Sequence, residues 1–114
     1  MKHAEHDLQK SCLKWFKLQY PKEVIFAIPN GGKRDEREAA RLKAEGVLSG
    51  VADLQILSNA NSDAKGLFIE MKTKNGRQSD AQQRFEIEAT QRGYNYAVAR
   101  NLDEFIKIVK DFFN

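Results

Sequence analysis

Apolar positions along the chain follow two rhythms, one close to the helical repeat of about 3.6 residues and one alternating, and they divide it into eight elements. Over residues 4–19, Leu8, Cys12, Trp15 and Phe16 fall on one side and Lys10, Lys14 and Lys17 on the other, which predicts a helix that Pro21 ends. Val24–Ile28 is a short β-branched run that stops at the turn signal Pro29-Asn30-Gly31-Gly32. Residues 35–45 read as a weakly amphipathic helix closed by Gly46, with Arg34, Arg37 and Arg41 on one face. Val51–Leu57 and Gly66–Met71 read as strands joined by the polar segment 58–63. Ser79-Asp80-Ala81-Gln82 has the form of a capping box and opens a helix that runs to about Arg92. Gly93 closes that helix, Tyr94–Ala99 is a last strand, and Asn101 caps a final helix with Leu102, Phe105, Ile106, Val109, Phe112 and Phe113 on one stripe.

The order α-β-α-β-β-α-β-α predicts an α/β fold, a mixed central sheet flanked by helices on both faces. At 114 residues, the chain is expected to form a single domain over 1–114.

Composition narrows the class without naming a function. The chain is 41% hydrophobic and 31% charged, as expected of a folded globular protein, and its apolar runs are too short to span a membrane. The first residues lack the apolar core of a secretory signal, and the single cysteine, Cys12, reads as a buried thiol in a reducing cytoplasm. Net charge is +3, and the surplus lies in residues 1–50, a mild bias that suits an anionic partner.

Chemistry enters at Gly66-Leu67-Phe68-Ile69-Glu70-Met71-Lys72. In a strand Glu70 and Lys72 share one face while Ile69 and Met71 pack on the other. Of the nine Glu residues, Glu70 alone precedes a Lys by two positions on a predicted strand. Taken alone, the pair also fits a solvated cross-strand charge pattern. Asp53 heads the preceding predicted strand, and if the two strands are adjacent it comes within reach of Glu70. Two carboxylates so placed repel unless a cation lies between them, and hard divalent ions take oxygen ligands. Glu5 and Gln9, one turn apart, fall on the apolar side of the first helix, where a carboxylate is costly unless paired or bound to metal. A frayed end that lets Glu5 reach water is the alternative. Gln82 is explained by its capping box, yet it also borders the end of the Glu70 strand. His3 and His6 lack partner ligands for a transition-metal site.

Together these segments resemble the virus-type replication-repair nuclease (VRR-NUC) domain, a branch of the PD-(D/E)XK superfamily. The resemblance covers nearly the whole chain. Its parts are Glu5-x-x-x-Gln9, Pro29-Asn30-Gly31-Gly32-x-Arg34, Gly46-x-x-x-Gly50-Val51-x-Asp53-Leu54, Ile69-Glu70-x-Lys72, Ser79-x-x-Gln82 and Gly93-Tyr94.

The resemblance implies a restriction-endonuclease-like fold and hydrolysis of DNA phosphodiesters with Mg²⁺ or Mn²⁺. Asp53, Glu70 and the backbone carbonyl of Met71 would be the metal ligands. Lys72 would act on the attacking water. Glu5, directly or through water, and Gln82 would support the metal and water shell, with Gln9 behind them. Free-standing members of this size look like phage-type proteins that act as homodimers on branched DNA such as four-way (Holliday) junctions, in the cytoplasm of a bacterial or phage-infected cell. The large apolar residues Trp15, Phe16, Phe112 and Phe113 are candidates for a dimer interface. For the DNA surface the residues themselves offer Asn30, Gly31, Gly32, Lys33 and Arg34 in a turn, then Arg37 and Arg41, and Lys74 and Arg77 after the Glu70 strand. The competing readings are a non-catalytic nucleic-acid-binding module of the same fold and a restriction-like nuclease with sequence preference.

Overall fold

The computed structural model describes residues 4–29, 35–58, 60 and 63–114. All eight expected elements are present in the expected order. They are α1 (Ala4–Gln19), β1 (Val24–Ala27), α2 (Glu36–Ala44), β2 (Leu54–Leu57), β3 (Leu67–Met71), α3 (Asp80–Gln91), β4 (Asn95–Ala99) and α4 (Leu102–Phe113). The strands form one sheet in the order β1-β2-β3-β4. The β1–β2 and β2–β3 pairs are antiparallel, and β3–β4 is parallel, joined through α3. The parallel pair needs that helix, because only a long crossover can bring a second strand back in the same direction.

The two sides of the sheet are covered differently. Leu54, Ile56, Leu67, Ile69 and Met71 point to one side and meet Cys12 and Phe16 of α1 and Phe105, Val109 and Phe112 of α4. This is the main core, and burial of its apolar side chains is the dominant favourable contribution to folding. On the other side α3 rests on β3 and β4 through an aromatic cluster, with Phe68 and Phe85 5.0 Å apart, Phe68 and Tyr94 5.2 Å, and Phe85 and Tyr96 6.3 Å. Here β1 and β2 leave Val24, Phe26 and Leu57 exposed.

Three sequence expectations change. Phe16 and Phe112 are buried, and Trp15 and Phe113 make ring contacts with Phe105, Phe16 and Tyr20, so these aromatics belong to the α1–α4 core and not to a free surface. Glu5 is exposed, because the first turn of α1 runs past the apolar packing that begins at Leu8. The second strand starts at Leu54 rather than Val51, for a reason that lies in the Asp53 side chain. Cys12 is buried as expected, and burial pushes its thiol up to about 11, leaving it an unreactive core residue. Among the described residues no helix is long and apolar enough to cross a membrane.

Candidate active site

Strand register brings the two acids together. The β2–β3 ladder pairs Leu54 with Ile69, so its next rung sets Asp53 opposite Glu70. On the other edge the Asp53 carbonyl accepts the Ile28 N–H at 2.8 Å, which extends the β1–β2 ladder by one rung as well. The Asp53 carboxylate then takes over the next position: its Oδ2 accepts the Met71 N–H at 2.7 Å. A side-chain oxygen stands where a main-chain carbonyl would, and regular β2 pairing stops there.

Glu70 points away from the core that Ile69 and Met71 fill, as period-two alternation requires. Even so it is only 3% exposed, the one buried charged residue in the described chain. Its Oε2 accepts from Gln82 Nε2 at 2.8 Å and lies 3.9 Å from Lys72 Nζ. Its Oε1 is buried and has no hydrogen-bond partner. Burial, with the Asp53 charge next in weight, pushes the Glu70 carboxyl up to about 8 against the pull of Lys72. A proton on Glu70 would give the pair a hydrogen bond to Asp53, and the more distant Glu5 charge raises the Glu70 pKa slightly further.

Gln82 carries both roles that the sequence left open. Ser79 Oγ accepts the Gln82 N–H at 3.1 Å and Gln82 Oε1 accepts the Ser79 N–H at 2.8 Å, which completes the capping box. With its oxygen committed to the cap, the amide nitrogen faces Glu70. Helix capping thus orients the group that holds the carboxylate.

The loop leading to Asp53 is set by Gly50. Its φ is +93°, and a Cβ there would stand 2.4 Å from the Ala81 carbonyl oxygen, a main-chain atom that cannot yield. Gly50→Ala is therefore expected to cost about 2 kcal/mol or more and to displace Asp53 from α3. Urea unfolding checks this, and a wild-type midpoint would show the contact to be slack.

The remaining expected site residues divide. Lys74, Arg77 and Arg37 are exposed, the first two on the segment that follows β3. Arg41 is engaged with Glu38 at 3.8 Å and Glu45 at 3.3 Å along its own helix. Gln9 is half-buried on α1. Asn30, Gly31, Gly32, Lys33 and Arg34 lie outside the described residues, as does His3. No group of three or more His, Cys, Asp or Glu side chains converges among the described residues; the acid pair stands with the Lys72 ammonium and the Gln82 amide nitrogen beside it.

Sequence reasoning missed Tyr96, whose hydroxyl accepts from Gln78 Nε2 at 3.2 Å while the same nitrogen donates to Glu86 at 3.0 Å. Burial pushes the Tyr96 hydroxyl up to about 12, so it keeps its proton. The only signal in the sequence was a tyrosine alternating with apolar residues on β4.

The buried, unpartnered Glu70 oxygen beside a second carboxylate is the arrangement expected of a hard-cation site. An unpaired buried carboxylate is costly, and a divalent ion with oxygen ligands would answer both charges. The donor set therefore fits Mg²⁺ or Mn²⁺.

Residues 3–101 match the model of the VRR-NUC domain family. A solved structure described as a VRR_NUC domain protein is similar with a TM-score of 0.80 and 29% identity, over 95% of this chain and 86% of that one. No curated protein matches the chain.

Proposed function

Because the chain belongs to the VRR-NUC domain family, a nuclease family, we propose that it is a divalent-metal-dependent endonuclease acting on DNA, with Asp53, Glu70 and Lys72 at its centre. The observation that carries the reading is the buried Glu70 carboxylate, with one oxygen lacking a partner and Asp53 beside it. A surface that only binds nucleic acid has no use for clustered acids facing phosphate.

Asp53, Glu70 and the Met71 carbonyl would hold Mg²⁺ or Mn²⁺, with Glu5 farther out. Bound there, the ion would make a water easier to deprotonate and offset charge on the phosphate. The chain's own groups do the rest. Gln82 fixes the Glu70 carboxylate, and Glu70 in turn draws the Lys72 ammonium to the site, 3.9 Å from its oxygen. Lys72 orients the attacking water or neutralises the phosphate. Exposed Lys74, Arg77 and Arg37 meet the DNA backbone. Tests use supercoiled plasmid: nicking is expected with Mg²⁺ or Mn²⁺, and binding without efficient turnover is expected with Ca²⁺. Full cleavage in excess EDTA would remove the metal from the mechanism.

The finer proposal is a homodimer that acts on branched DNA such as four-way junctions. One acid pair makes one cut, and a symmetric junction takes two cuts related by a two-fold axis, which a two-fold dimer supplies. With the terminal aromatics used in the core, the exposed Val24, Phe26 and Leu57 offer apolar surface for the contact. Light scattering at micromolar concentration is expected to give twice the 13.0 kDa chain mass, and a monomer mass with and without junction DNA would exclude the dimer.

A further inference from the structure

Arg100 follows β4 directly, with its main-chain N–H held by Glu104 Oε1 at 2.8 Å. Its side chain reaches back to the turn after β3. One guanidinium nitrogen, Nη1, donates to the Thr73 carbonyl at 2.9 Å and to the Gly76 carbonyl at 2.6 Å, with the Lys74 carbonyl at 3.4 Å. Such charge-assisted bonds are stronger than neutral ones, and here they gather carbonyls that the sheet leaves without partners. The same turn is closed by the Gly76 N–H on the Thr73 carbonyl at 3.0 Å.

That turn is the wall against which Lys72 rests. A Cβ at Gly76 would lie 3.3 Å from Lys72 Cδ, so the missing side chain is what admits the lysine stem. The Lys72 N–H is tied at the same time to the Ala99 carbonyl at 3.0 Å. A free lysine stem samples many rotamers, and a wall on one side removes most of them. The contacts thus run from Arg100 through the 73–76 carbonyls to Gly76, to the Lys72 stem, and to an ammonium 3.9 Å from Glu70.

We propose that Arg100 is a positioning residue for Lys72, acting through the turn at Gly76; the inference rests on the nuclease reading above. It touches neither acid. It holds the turn in the one shape that leaves the ammonium beside Glu70, and misplacement of a reacting group by about an ångström can cost up to 10²-fold in rate.

Three substitutions separate this role from simple stabilisation. Arg100→Met removes the clamp and is expected to slow single-turnover cleavage in Mg²⁺ about tenfold or more. DNA affinity, measured in Ca²⁺, should stay within about twofold, since a positioning defect appears in rate and not in binding. Arg100→Lys keeps a cation on a shorter side chain and should recover part of the rate. Gly76→Ala leaves the clamp in place but pushes on the flexible Lys72 stem, so it should slow cleavage with little change in thermal unfolding. Hydrogen exchange over residues 72–78 reads the clamp without activity, and is expected to quicken in Arg100→Met only. Should Arg100→Met fail to fold, Gly76→Ala decides: cleavage at the wild-type rate overturns the proposal. A loss confined to DNA affinity overturns it too, by making Arg100 a direct DNA contact. A wild-type chain that cuts no substrate refutes the nuclease reading instead; unchanged exchange in Arg100→Met then refutes the clamp separately.

Discussion

Asp53→Asn is expected to lower DNA cleavage by a factor on the order of 10² or more while thermal unfolding stays near that of the wild type. The asymmetry follows from what each part of the side chain does. Its oxygen toward Met71 accepts a main-chain N–H at 2.7 Å, a bond that an amide oxygen can also accept, so the end of β2 keeps its anchor. What disappears is the negative charge opposite Glu70, and with it one ligand of the proposed cation. Single-turnover cleavage of a labelled junction, measured beside urea unfolding, separates the two. An Asp53→Asn protein that cuts at the wild-type rate would remove Asp53 from the site. One that no longer folds would make Asp53 a structural residue first.

Glu70→Gln, by contrast, is expected to raise stability at alkaline pH. In the folded, metal-free chain the carboxyl is pushed up to about 8 from its ordinary value of 4.5. A raised acid holds its proton more tightly when folded than when unfolded, so the Glu70 contribution to stability is fully present below about 4.5 and is lost as pH rises toward 8. Glutamine resembles the protonated acid: its oxygen can accept from Gln82, and its amide can donate toward Asp53. The variant should therefore match the wild type near pH 4.5 and exceed it near pH 8, by on the order of 2–5 kcal/mol. Urea titrations in EDTA at the two pH values measure the gap. Excess Mg²⁺ should narrow it, since an ion that binds only the folded wild type stabilises it by mass action. Equal stability at both pH values would mean that the Glu70 charge is solvated, and the unpartnered oxygen would lose its meaning.

Much of this was legible in the sequence because it depends on short-range pattern. Helix and strand periods, the Ser79–Gln82 box and the Glu70–Lys72 spacing are local, and the structure keeps them with shifts of a few residues at element ends. What was legible only in outline, or not at all, depends on partners far away in the chain. The rung that sets Asp53 against Glu70 is fixed by β2–β3 register, and the second role of Gln82 by how α3 lies across β3. The terminal aromatics read as surplus because nothing local shows that α1 and α4 pack on each other. Arg100 looks like any surface arginine until the turn it reaches, more than twenty residues earlier, is in view.

The parallel pairing of β3 with β4 also bears on when the protein becomes active during its own synthesis. A nascent chain that has left the ribosome as far as Met71 already carries both acids, and Lys72 is the next residue to emerge. It has neither α3 nor β4, so one edge of β3 is bare, and the Gln82 amide that holds Glu70 and the Ala99 carbonyl that fixes the Lys72 N–H do not yet exist. Contacts between residues so distant in sequence form late, and parallel sheets are slow to close. The acid pair is therefore translated early, while the groups that fix it arrive late. In the proposed nuclease, cutting would await the docking of α3, β4 and α4, and a truncated product that ends after β3 would carry the two acids without the groups that hold them in place.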